Sequence, residues 1–490
     1  MPLKKDRNLL KTWILLLILI AGPSGLAQQI KESPIGQLAV SLISALNSNN
    51  KEEQLRFINA HMDSEALRNG PDVLIKNFGD LFDRTGGVEI TDLRPGRDPG
   101  EVKVILKSKR GNLEIELLTH LSRESPDKLI GFISHPLPDP DRKDSLPWPR
   151  TSLNERDGIA EIEHHVQQAA KDDRFSGAVL VAKNDRVLLS KAYGFANKEK
   201  QILNQTDTRF NLGSMNKMFT SVAIAQLVQA GKLSFGDTLD RVLPDYPNES
   251  VAKKITVRQL LTHTAGLGDF FKPEFQKHRE KYVSLASYLP LFAQEPLLFE
   301  PGKSWSYSNA GFIVLGLIVE RLSGENYFDY VRSHIFKPSG MMSTDSYERD
   351  AIIPNLALGY IDGDKNQRRV NEETLPVKGS SAGGGYSTTN DLFRFSRALL
   401  NNRLLNAELT KTIMTGKVAD NHPNSQYAFG FKDVTLSGRH MVGHGGGGPG
   451  INGYLNMLID NGYTVIVLGN YSPPSADGLA MEISNFLISQ

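Results

Sequence analysis

A proline-dense stretch divides this chain of 490 residues into two parts. Residues 136–149 read PLPDPDRKDSLPWP, and proline at this density sustains neither a helix nor the hydrogen-bond ladder of a sheet. The length itself favours two or three domains, at roughly 100 to 200 residues each. We therefore predict a small domain over residues 30–136, a linker over residues 137–154 and a larger domain over residues 155–490.

Residues 1–27 have the layout of a secretory signal peptide. Basic residues come first, the apolar run Trp13–Ala21 follows, and the segment ends in the small-residue sequence Gly25-Leu26-Ala27. The run is too short to cross a bilayer, which takes about 20 residues, so an uncleaved anchor is the weaker interpretation. We expect cleavage after Ala27, no later membrane span, and a location in the periplasm or outside the cell.

Composition excludes several classes of function. The 56 Lys and Arg residues nearly balance the 55 Asp and Glu residues, which leaves a formal charge of +1 and no electrostatic footprint for nucleic acid. The chain has no cysteine, so disulfides, thiolate catalysis and zinc-thiolate sites are excluded together. The remaining chemistry must come from hydroxyl, amine, imidazole and carboxyl groups.

The small domain has helix-spaced apolar residues first and alternating strand patterns after them. The predicted helices are Ile35–Leu46, Glu52–Ile58 and Pro71–Phe82, and the predicted strands are Val88–Leu93, Glu101–Ser108, Leu113–Ser122 and Lys128–Ser134. This order resembles small nuclear-transport-factor-like and cystatin-like α+β cones, in topology only. We expect a packing or substrate-gating domain without chemistry of its own, and recruitment to a partner or wall polymer is the open alternative.

The larger domain has a hairpin pattern near each of its ends. Ser176–Lys183 and Arg186–Tyr193 form the first, and Tyr454–Ile459 and Tyr463–Leu468 form the second. Residues 210–440 between them are richer in helical periods. We predict an antiparallel sheet built from both ends of the domain and flanked by the helices inserted between them.

Ser214 and Lys217 form a Ser-x-x-Lys pair at the start of a predicted buried helix, which Gly231 ends. A serine hydroxyl needs an adjacent base to attack at neutral pH. Three residues are nearly one helical turn, which puts the lysine amine on the serine's face, and a desolvated lysine loses its proton near neutral pH. The pair alone recurs by chance, since serine is also an ordinary helix N-cap.

Two further elements follow along the chain. Tyr307-Ser308-Asn309 opens a second apolar helix, and Gly443-His444-Gly445-Gly446-Gly447 precedes the last predicted strands. A lone tyrosine is more often an ordinary half-buried aromatic residue. The three elements in this order therefore carry the functional interpretation together.

These elements resemble the motifs of the serine β-lactamase and penicillin-recognising family, in the branch of class C β-lactamases, D-peptidases and related esterases. The resemblance covers about residues 155–490 and implies a β-lactamase-like catalytic domain, with an antiparallel sheet, flanking helices and an all-helical region, behind a small α+β domain. It also implies that Ser214 is the acylated nucleophile, that Lys217 and Tyr307 move its proton, and that Asn309 hydrogen-bonds Lys217 and the substrate amide. Which of Lys217 and Tyr307 is the base stays open, because coupled groups can share the proton.

The resemblance also implies roles for the glycine-rich segment Gly443–Gly447. The backbone N–H groups of Ser214 and Gly447 would form the oxyanion hole, and glycine at Gly446 and Gly447 would let substrate approach closely. The resemblance also places His444 among the catalytic residues. His444 stands where dedicated class C β-lactamases carry lysine, and histidine is mostly neutral at pH 7. We therefore expect hydrolysis of an ester or D-peptide, with cell-wall peptides among the candidate substrates, ahead of β-lactam destruction.

No metal or organic cofactor is required by this chemistry. The alternative on the same scaffold is a penicillin-binding or cell-wall-sensing protein that is acylated without turnover.

Other motif matches have simpler structural interpretations. Ser381 fits a G-x-S-x-G pattern but lacks the preceding strand and following helix of a nucleophile elbow. Gly443–Gly448 fits G-x-G-x-x-G, yet a strand pattern follows it, which disfavours dinucleotide binding. Glu163-His164-His165 lacks a matching metal-ligand set and is expected to be a solvated helix face, and His263 is expected to make structural hydrogen bonds.

Overall fold

The computed structural model describes residues 31–490 except 64–65, 68–70, 96–100, 110–113, 123–124, 126, 138–146, 150, 363–367 and 421–423. The predicted signal peptide therefore lies outside the described residues, as does much of the predicted linker. The chain divides into two units, residues 1–145 and residues 146–490, and each is described by itself.

The first unit packs helices against an antiparallel four-stranded sheet. Its elements are α1 Pro34–Ser48, α2 Lys51–His61, α3 Pro71–Thr85, β1 Val88–Pro95, β2 Glu101–Ser108, β3 Glu114–Leu121 and β4 Leu129–Leu137. The strands pair in the order β1-β2-β3-β4. Leu42 on α1, Phe78 on α3 and Val104 on β2 are fully buried in one apolar core between the two layers. The predicted order of helices and then strands is confirmed.

An eight-stranded antiparallel sheet forms the centre of the second unit. Its strands are β5 Gly177–Lys183, β6 Arg186–Tyr193, β13 Val418–Ala419, β14 Ser425–Tyr427, β15 Lys432–Leu436, β16 Arg439–Gly448, β17 Ile451–Leu458 and β18 Tyr463–Gly469. They pair in the order β13-β14-β15-β16-β17-β18-β5-β6. Strand β18 lies beside β5, with Val465 opposite Val181. The sheet is thus assembled from both ends of the unit, as the two hairpin patterns predict.

The other elements of the second unit lie mostly between these strands in the chain. The short strands are β7 Phe195–Asn197, β8 Ile202–Leu203, β9 Phe210–Asn211, β10 Tyr360–Asp362, β11 Arg368–Val370 and β12 Tyr386–Ser387. The α-helices are α4 Glu155–Lys171, α5 Asn216–Gln229, α6 Leu239–Val242, α7 Glu249–Ala252, α8 Val257–Leu261, α9 Pro273–Lys277, α10 Asn309–Ser323, α11 Tyr327–Val331, α12 Lys337–Ser339, α13 Thr389–Leu400, α14 Ala407–Met414 and α15 Asp477–Ser489. Single turns of 3₁₀ helix lie at Gly213–Met215, Arg279–Lys281 and Glu372–Thr374, a longer 3₁₀ segment at Leu285–Leu291, and a π-helical segment at Arg332–Phe336.

Both faces of the sheet are covered. Along β5, Ala178 and Leu180 point into the larger core with the central helices, whereas Val179 and Val181 point into a second core with α4 and α15. This alternation explains the nearly continuous apolar run of β5, because a strand buried on both faces needs apolar residues at every position. Most residues of helices α5 and α10 are buried, and the two helices pack against each other.

Candidate active site

Ser214 lies on the 3₁₀ turn that leads into α5, and Lys217 lies in the first turn of that helix. Gly213 opens the turn with φ +48°, and its N–H donates to Asn211 Oδ1 at 2.9 Å. One turn of helix brings Lys217 Nζ to 3.1 Å from Ser214 Oγ. The predicted nucleophile and one of its two candidate bases are therefore within hydrogen-bond distance of each other.

Lys217 is fully buried, and its amine has only a few polar neighbours. Nζ donates to Asn309 Oδ1 at 2.7 Å and to the carbonyl oxygen of Ala382 at 2.6 Å. Burial lowers the pKa of Lys217 to about 7, and the negative charge of Asp269 opposes this shift. A neutral amine has two N–H groups, which match the two oxygen acceptors, and one lone pair, which is left facing Ser214 Oγ. This is the arrangement that a general base for a serine nucleophile requires.

Tyr307 is the second neighbour of the nucleophile. Burial raises the pKa of Tyr307 above the ordinary value for tyrosine, and a hydrogen bond between its hydroxyl and Ser214 offsets only part of this rise. Lys217 Nζ lies 4.8 Å from the centre of the Tyr307 ring. The phenol therefore stays protonated at neutral pH and can pass a proton on rather than act as a phenolate base.

Ser308 and Asn309 fix the Tyr-x-Asn motif at the start of α10. The Ser308 hydroxyl oxygen caps the helix by accepting the N–H of Gly311 at 3.1 Å, which leaves Asn309 as the first helical residue. Asp269 Oδ2 accepts both the backbone N–H and the side-chain N–H of Asn309, each at 2.9 Å. A carboxylate accepts only, so the Asn309 amide oxygen must be the atom that faces Lys217.

The glycine-rich strand β16 runs against the turn that carries Ser214. A side chain at Gly446 would collide with the carbonyl oxygen of Leu212, and its Cβ would lie 3.1 Å from Ser214 N. The amide nitrogen of Gly447 lies 3.0 Å from the place where a Cβ at Gly213 would be. Glycine at these positions lets the backbone N–H groups of Ser214 and Gly447 come close together.

His444 is also on β16, but the hydrogen bonds of its ring go to Gly445 and Tyr427. Nδ1 lies 2.6 Å from the carbonyl oxygen of Gly445, so Nδ1 carries the proton, and Nε2 accepts the hydroxyl of Tyr427 at 2.9 Å. The side chain is buried, and desolvation with the nearby charge of Lys217 lowers its pKa to about 3. Its ring centre is 6.5 Å from that of Tyr307. His444, expected among the catalytic residues, thus lies beside the site as a neutral imidazole whose two nitrogens bond to Gly445 and Tyr427.

His263 supports the same motif from the other side. Its Nδ1 accepts the backbone N–H of Ser308 at 3.1 Å, and its ring centre lies 4.3 Å from that of Tyr307. The expectation of a structural hydrogen bond is confirmed. Burial lowers the pKa of His263 well below its ordinary value, so the imidazole is neutral.

The rival motif matches do not form a second site in the part of the chain that the structure describes. Ser381 is completely buried against α10, and its hydroxyl has no hydrogen-bond partner. Gly443–Gly448 continues a strand and is followed by β17 rather than by a helix. Among the described residues, no group of three or more His, Asp or Glu side chains is placed to hold a metal ion.

The expectation for Glu163-His164-His165 was wrong in one position. His164 is exposed, but His165 is buried, with its ring stacked on Trp148 at 3.8 Å and Nδ1 at 3.0 Å from the carbonyl oxygen of Glu161. The indole of Trp148, from the proline-rich stretch, covers this face of α4.

No helix in the described part of the chain combines the length and apolarity that crossing a bilayer needs.

Three groups of the site escape sequence reasoning. The carbonyl of Ala382 is a backbone group, so no side-chain pattern singles it out. Asp269 and Tyr427 belong to none of the motifs described above. Each becomes a site residue only through tertiary hydrogen bonds.

The model of the Beta-lactamase family matches residues 162–489, almost the whole second unit. This chain belongs to the beta-lactamase family. A penicillin-binding protein of Bacillus subtilis (strain 168) is 31% identical over 315 residues, which are 61% of this chain and 68% of that protein.

Solved structures of the beta-lactamase family share the fold. A penicillin-binding protein from Bacillus halodurans has a TM-score of 0.61 and 33% identity, over 66% of this chain and 99% of that chain. A D-stereospecific amidohydrolase from Streptomyces sp. has a TM-score of 0.58 and 26% identity, over 67% of this chain and 98% of that chain. The family thus includes hydrolases, and this chain is a beta-lactamase-related serine hydrolase by family. Its first unit lies outside the matched residues.

Proposed function

We propose that this protein hydrolyses an ester or amide bond through an acyl-enzyme on Ser214. One observation carries the proposal: Lys217 is buried, its N–H groups face two oxygen acceptors, and its remaining position faces Ser214 Oγ at 3.1 Å. Its pKa of about 7 makes a useful fraction of the amine neutral at neutral pH.

In the acylation step, Ser214 Oγ attacks the substrate carbonyl carbon while its proton passes to Lys217. The N–H groups of Ser214 and Gly447 stabilise the negative charge that develops on the carbonyl oxygen. The bond to the leaving group then breaks, and the proton held by Lys217 reaches the leaving group through the hydroxyl of Tyr307. Water then adds to the acyl carbon, and its proton passes through Lys217 and Tyr307 to Ser214 Oγ. The bond between the acyl carbon and Oγ breaks, which releases the acid and restores Ser214. No metal or organic cofactor takes part in these steps.

Substrates without a carboxylate beside the scissile bond fit this site best. His444 is neutral, with both ring nitrogens engaged, so it offers no positive charge to an anionic group. This supports ester or amide hydrolysis ahead of carboxypeptidase and β-lactamase activity. The 26% identity to a D-stereospecific amidohydrolase supports amides of D-amino acids as the first class to try.

The proposal is tested by intact-protein mass spectrometry over time on the wild type and on Ser214→Ala. Each protein receives a p-nitrophenyl ester, a D-amino acid amide, a D-alanyl-D-alanine peptide and a penicillin. We expect turnover of the ester or the amide with a transient adduct that Ser214→Ala lacks. Turnover that survives in Ser214→Ala would contradict the proposal, and faster turnover of the penicillin than of every other substrate would contradict the assigned specificity.

A second candidate function is acylation without turnover, as in a penicillin-binding or cell-wall-sensing protein. The relatives named penicillin-binding protein favour it. The same experiment separates the two functions. The second is supported if the penicillin leaves an adduct on Ser214 that persists for hours and if the protein turns over none of the four substrates.

We also propose that the chain is exported to the periplasm or the medium. The layout of residues 1–27 supports this location, as do relatives named penicillin-binding protein. Cell fractionation followed by N-terminal sequencing of the full-length expressed chain is the test. We expect an exported protein that begins at Gln28, and a protein retained in the cytosol with its leader intact would contradict export.

A further inference from the structure

Asp269 lies in the loop between α8 and α9 and reaches into the site, where it bonds to Asn309. Its Oδ2 accepts the backbone and side-chain N–H groups of Asn309, each at 2.9 Å. Its Oδ1 accepts the backbone N–H of Phe270 at 2.7 Å and that of Phe271 at 3.4 Å. Both oxygens are therefore used, one to fix the loop and the other to fix Asn309.

This contact determines which way the Asn309 amide points. With its N–H held by the Asp269 carboxylate, the amide oxygen is presented to Lys217 Nζ at 2.7 Å. An amide rotated by half a turn would place N–H groups against the amine and its oxygen against a carboxylate. Such a rotation is disfavoured, because a carboxylate oxygen cannot donate to an amide oxygen and N–H groups cannot accept from the amine.

Asp269 is also the negative charge that acts on Lys217. The titratable groups that face Lys217 from the other elements are Tyr307, a protonated phenol, and the two neutral imidazoles of His263 and His444. Burial lowers the pKa of Lys217, and the charge of Asp269 raises it. The geometry and the charge thus act on the same amine.

We propose that Asp269 is a positioning residue of the acylation machinery, which holds the Asn309 amide oxygen on Lys217 and balances the positive charge that Lys217 takes up when Ser214 is deprotonated. This inference rests on the proposed function, because it assigns Asp269 a task only if Lys217 serves Ser214 as a base. A positioning role and a merely structural role of the loop predict different pH profiles. If Asp269 is a positioning residue, removal of its carboxylate changes the pH at which the Lys217 amine loses its proton.

The test is the pH dependence of kcat/KM for a p-nitrophenyl ester in the wild type and in Asp269→Asn. Loss of the charge lowers the pKa of Lys217, so the neutral amine is present at lower pH and the acid limb of the profile moves to lower pH. We expect the ratio of kcat/KM at pH 6 to that at pH 8 to rise roughly threefold or more. The plateau should fall roughly 10- to 100-fold, because Asn309 loses a charge-assisted partner.

Three further variants separate charge from packing. Asp269→Ser removes the same charge with a smaller side chain and should move the acid limb in the same direction, which keeps the test available if Asp269→Asn folds poorly. Asp269→Glu keeps the charge and should leave the limb in place with a lower plateau. Ser308→Ala changes no charge but removes both hydrogen bonds of the hydroxyl, to the carbonyl oxygen of Gly268 at 2.7 Å and from the N–H of Gly311 at 3.1 Å, and should also leave the limb in place.

An acid limb that stays at the wild-type position in both Asp269→Asn and Asp269→Ser, with Ser214 still acylated in the wild type, overturns this inference alone. An equal shift in Ser308→Ala overturns it as well, because that variant changes no charge. If the ester never acylates Ser214 in the wild type, the proposed function fails, and the role of Asp269 fails with it.

Discussion

Lys217 and His444 are two buried basic side chains in one site, and they differ in what their nitrogen atoms face. Lys217 has oxygen acceptors for two hydrogens and Ser214 Oγ at its third position. His444 donates from Nδ1 to Gly445 and accepts at Nε2 from Tyr427, so neither nitrogen is available. Burial makes both groups easier to hold neutral, but only the lysine keeps a lone pair directed at a nucleophile.

Lys217 and His444 also differ in the pH range over which each changes charge, because their ordinary pKa values differ. Desolvation lowers the pKa of both side chains, from a high starting value for lysine to about 7 and from 6.5 for histidine to about 3. Lys217 therefore changes charge in the pH range where enzymes work, whereas His444 is neutral throughout it. A basic residue in a buried site thus becomes a base only when its partners leave a position open and its pKa stays in range.

Among the variants that test this comparison, Lys217→Met should have the largest effect on activity. Lys217→Met removes the lone pair beside Ser214 and keeps the volume, so we expect the rate of Ser214 acylation to fall about 10³- to 10⁴-fold, at the upper end of what one proton-transfer group contributes. Stopped-flow assays with a p-nitrophenyl ester measure the rate. A thermal melting point close to that of the wild type is the control for folding, and a loss of less than tenfold would disprove the role of the lysine.

Gly446→Ala should have the next largest effect, because it disturbs the contact between the strand of His444 and the turn of Ser214. The added Cβ would collide with the carbonyl oxygen of Leu212, so the oxyanion-hole N–H groups must move apart. We expect kcat to fall about 100-fold, similar to the loss of one oxyanion donor. Gly448→Ala is the matched control, since its Cβ would meet Ile451 at an ordinary 3.7 Å; equal activities of the two variants would contradict the packing argument.

Much of this site is predictable from sequence because its spacing is local. Ser214 and Lys217 are one helical turn apart, and Tyr307 and Asn309 flank a helix N-cap, so the geometry of each pair follows from secondary structure. The same holds for the strands, whose alternation and turn residues predict β5, β6, β17 and β18. The assignment of the domain boundaries and of the catalytic roles stays a prediction.

The remaining site residues depend on tertiary contacts that the sequence does not encode locally. Asp269 meets Asn309 across 40 positions of chain, and Tyr427 meets His444 across 17. His165 was misjudged for the same reason, because its position on α4 does not reveal that Trp148 stacks on it. A neutral His444 is likewise a property of its buried partners rather than of its motif.

Tyr427→Phe should have the smallest effect on activity. The variant leaves Nε2 of the buried His444 without a partner, so we expect the free energy of unfolding to fall by about 1–3 kcal/mol. The rate of ester hydrolysis should change less than roughly tenfold, because the hydrogen bonds of the His444 ring go to Gly445 and Tyr427 rather than to Ser214. Chemical denaturation and the pH profile measure the two effects. A shift of the acid limb in this variant would mean that His444 titrates with the site, contrary to this account.

The most direct test of the central claim is the titration of Lys217 itself. In protein labelled with ¹³C at the lysine ε carbons, the Lys217 signal is identified by its absence from Lys217→Met and followed by NMR as the pH is raised. We predict a midpoint near pH 7, since burial lowers the pKa of Lys217 to about 7. A midpoint near the ordinary value for lysine, about 10.4, would show a permanently charged amine and would contradict its role as the base for Ser214.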